Sequence, residues 1–252
     1  FEEFFADRRR FDVRIGNHRF WDGGVEADLR NETTQLSASL RFEDIEKYPA
    51  SFLHPGIMGP FSFVPGMECY HGIVNLRHTI SGTMVYNADP LDMTGGEGYI
   101  EKDWGRSFPQ SWIWMQANHF SAHNASFMFS IARIPWLGTT FTGLICFLRT
   151  DRGFYRFATY NGSKVCELQM DGDRIEAVLQ SPTHTLVLSA AYARGGILKA
   201  PKNGLMLREI EESITAKVTV RLSDRRWNVV FYDESNQAGM EIAGSLEQMA
   251  SK

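Results

Sequence analysis

Short alternating runs, each cut off by a turn signal, constrain this chain more than any other feature. Phe11-Asp-Val-Arg-Ile15 alternates and stops at Gly16-Asn17; His18 to Trp21 alternates again before Asp22-Gly23-Gly24. Thr34 to Phe42 puts Leu36, Ala38, Leu40 and Phe42 on one face. Ile73 to Tyr86 and Tyr99 to Trp104 continue the pattern, with turns at Asn87-Ala88-Asp89-Pro90 and Gly95-Gly96. A period of two bounded by Gly, Asn, Asp and Pro is the signature of half-buried strands. Eight further runs follow from Trp112: 112–120, 126–134, 140–150, 154–160, 174–180, 185–193, 214–222 and 228–232. Only 42–47 and 207–212 carry a helical spacing, enough for a turn or two each. Many short strands with regular turns predict an all-β chain built as a barrel or sandwich.

Eight strands close into a barrel just wide enough to hold a small ligand, and the second half supplies that number. The first half supplies about five before residue 106, which fits a barrel whose opening strands lie upstream of Phe1. The chain's 43% hydrophobic and 22% charged residues suit a folded protein, and a net charge of −4 excludes the basic face that nucleic acid demands. The longest apolar stretch, 127–148, is interrupted by Arg133, Pro135 and Gly138, so no transmembrane segment is expected, with peripheral membrane contact left open. Cys69, Cys146 and Cys166 cannot all pair and match no metal-binding spacing. They read as free thiols in a reducing, cytoplasmic compartment. Because the sequence opens at Phe1 within what reads as a domain, it argues neither for nor against a leader.

Chemistry concentrates where the tryptophans do, four of six lying between 104 and 136. In the strand Gly98-Tyr-Ile-Glu-Lys-Asp-Trp104, alternation places Tyr99, Glu101 and Asp103 on one face and Lys102 and Trp104 on the other. In the next strand Trp112, Trp114, Gln116, Asn118 and Phe120 align. Amides in line with indoles suit a ligand pocket, with apolar walls and a few placed polar groups, better than a dry core. The plainer reading stands beside it: strand tryptophans commonly serve as core, and a Glu-Lys-Asp run as a solvated face. Glu68-Cys-Tyr-His71 with His78 forms a second group, in which Glu68, Tyr70 and His78 share a face and His71 points the other way. No metal site is expected, since the His-x6-His spacing is not a helical ligand pair. Gly95-Gly96-Glu97-Gly98 precedes no helix and reads as a turn, and no nucleophile elbow is present.

The stretch Tyr99-x-Glu101-Lys102-x-Trp104-Gly105 with Phe108-Pro109, Trp112-x-Trp114 and Gln116-x-Asn118-x-Phe120 closely resembles the hallmark of the tocopherol cyclase family. It departs from the plant pattern at Asp103, where they carry Asn, and at Arg106-Ser107, where they carry Gly-Gly. With 55–59, 64–72 and 199–204, the whole chain is similar to the bacterial branch of that family. The resemblance implies two consecutive lipocalin-like barrels, as in carotenoid hydratase-like proteins, with a boundary near 106–111: 1–106 as the remainder of the first barrel and 107–252 as the second. It implies that about sixty or seventy residues of the first barrel precede this sequence.

The implied chemistry is protonation of a prenyl or polyene double bond and capture of the cation by a phenol oxygen or by water, with no cofactor. It calls for an acid in a desolvated pocket and an aromatic wall. Glu101 or Asp103 is the expected proton donor, with Lys102 setting the local field. Trp104, Trp112 and Trp114 are the expected walls, and Gln116, Asn118, Tyr99, Glu68, His71 and His78 the further substrate contacts. The expected partner is a small apolar or prenylated ligand, with the oligomeric state open. A non-catalytic, lipocalin-like carrier of an apolar ligand would use the same cavity, and a purely structural role with a filled interior is the third reading.

Overall fold

A computed structural model describes residues 3–136 and 138–245. Among the described residues the regular structure is β-strand apart from two single 3-10 turns, at Gly59–Phe63 and Thr159–Asn161. Two compact units are present. One holds the described residues up to Pro49 together with Gly72–Lys102; the other holds Ala50–His71 and the described residues from Asp103 onward.

The first sheet is an antiparallel meander of β1 (Phe4–Ala6), β2 (Asp12–Ile15), β3 (His18–Trp21), β4 (Gly24–Arg30), β5 (Gln35–Glu46), β6 (Cys69–Tyr86) and β7 (Asp89–Asp92), each paired with the next. β8 (Gly96–Gly105) also pairs with β6. β7 and β8 follow one another along the same edge of β6, where the Met93 and Gly95 N–H groups donate to the Gly82 and Ile80 carbonyls. Within this unit Asp12, buried, accepts two hydrogen bonds from the Arg19 guanidinium at 3.1 and 2.7 Å. Its carboxyl is held below the usual range, chiefly by that bond.

The second sheet contains β9 (Trp112–Ala117), β10 (Ser126–Trp136), β11 (Thr139–Thr150), β12 (Gly153–Ala158), β13 (Lys164–Asp171), β14 (Arg174–Gln180), β15 (His184–Ala191), β16 (Gly196–Lys202), β17 (Leu205–Asp224) and β18 (Val229–Ala243). In space the order is β12-β11-β10-β9-β18-β17-β15-β14-β13, with β16 added to β17. The last strand therefore returns to pair with the first of the meander, the up-and-down connectivity of a lipocalin-like fold. The all-β class is present, and the two consecutive lipocalin-like barrels that the resemblance implies have their counterpart in these two sheets.

One continuous core lines a single side of this second sheet. Ile113, Met115 and Ala117 of β9 meet Phe127, Phe129 and Ile131 of β10, and the cluster continues through Cys146, Leu179, Leu188, Val220 and Met240. Alternation then sends Trp112, Trp114 and Gln116 to the opposite side of β9. None of the three cysteines forms a disulfide, and Cys146 is fully buried, with its thiol pushed up by that burial.

Both segments expected to hold helical turns are strand. β5 runs on to Glu46 through a bulge at Asp44 (φ 49°), which shifts the alternation by one and imitates a helical spacing. In β17 the three-residue spacing of Leu207 and Ile210 puts them on opposite faces, and only Ile210 is buried. The glycine stretch expected as a turn begins β8 at Gly96.

Candidate functional site

The geometry around the Glu-Lys-Asp-Trp strand starts from a glycine. At Gly105 the backbone adopts φ 149°, and an added Cβ would sit 2.1 Å from the Glu68 carbonyl oxygen. Only glycine lets the end of β8 close onto the start of β6. With that contact made, the Glu68 carbonyl accepts N–H groups of Arg106 (2.8 Å) and Ser107 (3.2 Å). The two strands then present two pairs on their two faces. Tyr70 stacks on Trp104 at 5.4 Å with planes 10° apart, and Tyr70 Oη donates to the Val64 carbonyl at 2.6 Å. On the other face His71 Nδ1 lies 2.8 Å from Asp103 Oδ1. His71 is half-buried, with its side chain 13% exposed, and Asp103 is an exposed residue whose side chain keeps 26% of its surface open. The His71 backbone N–H points at Met58 Sδ, 3.0 Å away. Met58 leads into the turn that carries Phe61 to Phe141 (5.9 Å) and Trp136 (6.5 Å).

Such a pair can hold and move a proton. The carboxylate fixes the ring's tautomer and orientation, so that a neutral His71 carries its proton on Nδ1, toward Asp103, and exchanges protons through Nε2. Sequence reasoning placed Asp103 and His71 in separate groups; the antiparallel pairing of β6 with β8 brings them together. Further along β8, Tyr99 Oη donates to Glu101 Oε2 at 2.6 Å, on the face that alternation assigns to both. Lys102 is exposed, and Glu68 is exposed with its backbone carbonyl in use.

The aromatic strand that follows divides its labour. Trp112 is buried among Phe108, Ala132, Ala200, Ile210 and Ala243. Its Nε1–H donates to Glu241 Oε2 at 2.8 Å, and the Arg208 guanidinium lies 4.5 Å above the ring. Burial lowers the Arg208 pKa, and the group is held by the Pro109 and Gln110 carbonyls at 2.8 and 2.9 Å. Trp114 packs on the same cluster. Gln116 Nε2 donates to Asn118 Oδ1 at 2.7 Å, and that oxygen also accepts from Ser126 Oγ at 2.7 Å. Ser126, Glu241 and Arg208 carried no signal in the sequence, because each reaches its partner across a strand ladder or a long connection.

His78 belongs to another environment. Only 2% exposed, it faces Phe42 at 4.0 Å between centroids and has Asn75 Nδ2 3.4 Å from its Nδ1. Burial, with Lys47 adding to it, pushes its pKa down to about 4. It is a neutral, packed ring. A cavity of about 420 Å³ lies elsewhere in the second sheet, lined by Lys164, Gln180, His184, Arg225 and Trp227 among others.

Maize (Zea mays) "Tocopherol cyclase, chloroplastic" is 21% identical over 175 residues, which is 65% of this chain and 37% of that protein. This chain therefore spans little more than a third of that relative's length. A crystal structure named for AttH, from Nitrosomonas europaea, superposes with a TM-score of 0.51 at 13% identity, covering 95% of this chain and 72% of that one. That likeness speaks for the fold. A family model described as "Tocopherol cyclase-like" matches residues 25–244, which takes in the first sheet from β4 onward, the second sheet, the His71–Asp103 pair and the tryptophan strand. The chain belongs to the tocopherol cyclase-like family.

Proposed function

We propose that this chain cyclises, or hydrates, a prenylated or polyene lipid by proton transfer, without a cofactor. The observation that carries the reading is the His71–Asp103 pair at 2.8 Å, its ring half-buried and set beside Met58. A proton passes from the pair to one carbon of a trisubstituted double bond, leaving a tertiary cation. A phenol oxygen, or a water oxygen for hydration, attacks that cation and forms the C–O bond. The proton lost from that oxygen returns to the pair, so cyclisation is a net isomerisation in which nothing is oxidised or reduced. Glu101, bonded by the Tyr99 hydroxyl, is the second carboxyl in reach of this role. An indole face within reach of a cation contributes about 0.5–2 kcal/mol. Of the three expected walls, Trp104 is stacked on Tyr70 across the strand pair and Trp112 is buried beneath Arg208, which leaves Trp114 as the candidate. Gln116 and Asn118 offer amides for a polar head.

The test is turnover of a prenylated hydroquinone by the folded chain and its variants, followed by chromatography of the product. Asp103→Asn and His71→Gln are each expected to reduce kcat by about a hundredfold or more, the usual scale of a positioned acid. Glu101→Gln measures the second carboxyl in the same assay. Full activity in both Asp103→Asn and His71→Gln would remove the pair from the mechanism. Quantitative recovery of unchanged hydroquinone from the wild type would overturn the reading.

A further inference from the structure

The hairpin of β16 and β17 ends in a tip that the rest of its unit leaves uncovered. Leu205, Met206 and Leu207 are 60%, 58% and 66% exposed. Successive strand residues point to opposite faces, so three consecutive exposed apolar side chains mean that neither face of the tip is covered. The base of the hairpin is anchored. Ala200 and Ile210 pack on Trp112, and Arg208 grips the Pro109 and Gln110 carbonyls. The Asn203 N–H donates to Ser107 Oγ at 2.8 Å, and the Gly204 N–H to the Arg106 carbonyl at 2.6 Å. Asn203 (φ 54°) and Gly204 (φ 82°) form the two-residue turn whose twist matches the flanking strands. An apolar tip is thus held out on a fixed mount.

Charge selects the occupant. Near the tip and beside it, Lys199, Lys202, Arg106 and Arg208 stand with Glu209, which pairs with Lys199, while Glu211 and Glu212 lie toward the far end of the hairpin, opposite Ile197 and Gly196, in a chain whose net charge is −4. Two residues before Arg106, Trp104 is half-exposed. Leu, Met and Trp side chains flanked by Lys and Arg are the composition that settles into a lipid headgroup layer. A protein packed against the sheet would cover one face of the tip; a headgroup layer surrounds both. Strand addition by a second copy at β16 is opposed by Lys199 and Pro201 on that strand. We propose that the β16–β17 tip, with Lys202 and Leu205–Leu207 as its contacts, docks this chain on an anionic lipid surface. The inference rests on the surface and not on the proposed reaction, since an inactive chain would bind the same surface.

The experiment is co-sedimentation of the full chain with sucrose-loaded vesicles, either of phosphatidylcholine alone or with about one third phosphatidylglycerol. Binding is expected on the anionic vesicles and should weaken as salt is added. Lys202→Glu is expected to weaken it about fivefold or more, because each basic side chain near such a surface contributes about that factor. The combined variant Leu205→Ser, Met206→Ser, Leu207→Ser should weaken it about tenfold or more. Both variants change exposed side chains, and circular dichroism checks that each is folded. Absence of wild-type binding to the anionic vesicles, or equal binding to both vesicle types, would overturn the proposal. So would wild-type affinity in folded Lys202→Glu and triple variants. Self-association that the triple variant abolishes, without vesicle binding, would assign the tip to a second copy and overturn it too.

Discussion

His78 makes this chain sensitive to acid, and the size of the effect follows from its surroundings. Its ring is buried against Phe42, its pKa is pushed down to about 4, and the space beside it is closed by Gly98, where an added Cβ would lie 2.2 Å from Nε2. In the unfolded chain a histidine titrates near pH 6.5. Between those two values the unfolded state binds the proton and the folded state does not, so stability rises with pH. The contribution is constant above the unfolded pKa and is lost as pH falls from about 6.5 towards 4. A displacement of roughly 2.5 units corresponds to about 3.4 kcal/mol in full, of which about 2 kcal/mol disappears between about pH 7 and pH 5. Urea unfolding at those two pH values, for the wild type and His78→Asn, measures it. Asn retains a polar atom near the Nδ1 position, facing Asn75, and cannot titrate. The variant should be less stable at neutral pH, having lost its packing on Phe42. Its further loss on acidification should nonetheless be about 2 kcal/mol smaller than that of the wild type. Every other titrating group cancels in that difference, so equal losses in the two proteins would show that His78 is solvated and protonated in the fold.

Two further perturbations test the local geometry. Gly105→Ala forces a side chain into the Glu68 carbonyl at an unfavourable φ and should cost about 2–3 kcal/mol in urea unfolding. Because it pushes β8 off β6, it should also lower turnover if the His71–Asp103 pair is the proton source. Asp233, buried, accepts the Ala122 and His123 N–H groups at 2.9 Å, the His123 ring at 2.9 Å and the Glu234 N–H at 2.8 Å. Burial alone would raise its carboxyl, and these donors more than offset it, leaving the pKa below the usual range. Its stabilisation is therefore complete above about pH 4 and lost only as pH falls through the lowered value, outside the His78 window. Asp233→Ala should cost about 2 kcal/mol at neutral pH and loosen residues 118–125 in hydrogen exchange.

Alternation was legible wherever a strand has one wet face. It located β2, β3, β5, β6, β9, β10, β11 and β14 within a few residues, because their apolar positions recur at a period of two. It passed over β13 and β16, whose side chains are mostly exposed and carry little periodic contrast. It ended β18 at Tyr232 although the strand runs to Ala243, because Asp233 to Gly239 reads as polar loop. Those residues hold ladder positions beside β17 and β9 whose partners lie far off in sequence. The same distance hid the acid pair. Period-two reasoning can place Asp103 on a face of β8, but the ring opposite it comes from β6, 32 residues earlier.

What the family motif encodes becomes clearer once its residues are separated by contact. Gly105 allows β8 to meet β6; Asp103 and Trp104 then face His71 and Tyr70 from opposite sides of one strand pair. Trp112, a few residues on, binds Glu241 and Arg208 and anchors the β16–β17 hairpin. A motif that looks like one pocket along the sequence thus holds at least two physical tasks, closing a hydrogen-bonded His71–Asp103 pair and mounting an exposed tip. Substitutions confined to one task separate the two. His71→Gln and Asp103→Asn should reduce turnover while vesicle binding stays at the wild-type level. Leu205→Ser, Met206→Ser, Leu207→Ser should reduce vesicle binding while turnover of a detergent-dispersed substrate is retained. Loss of both properties together in either set would mean that the strand pair and the hairpin act as one site.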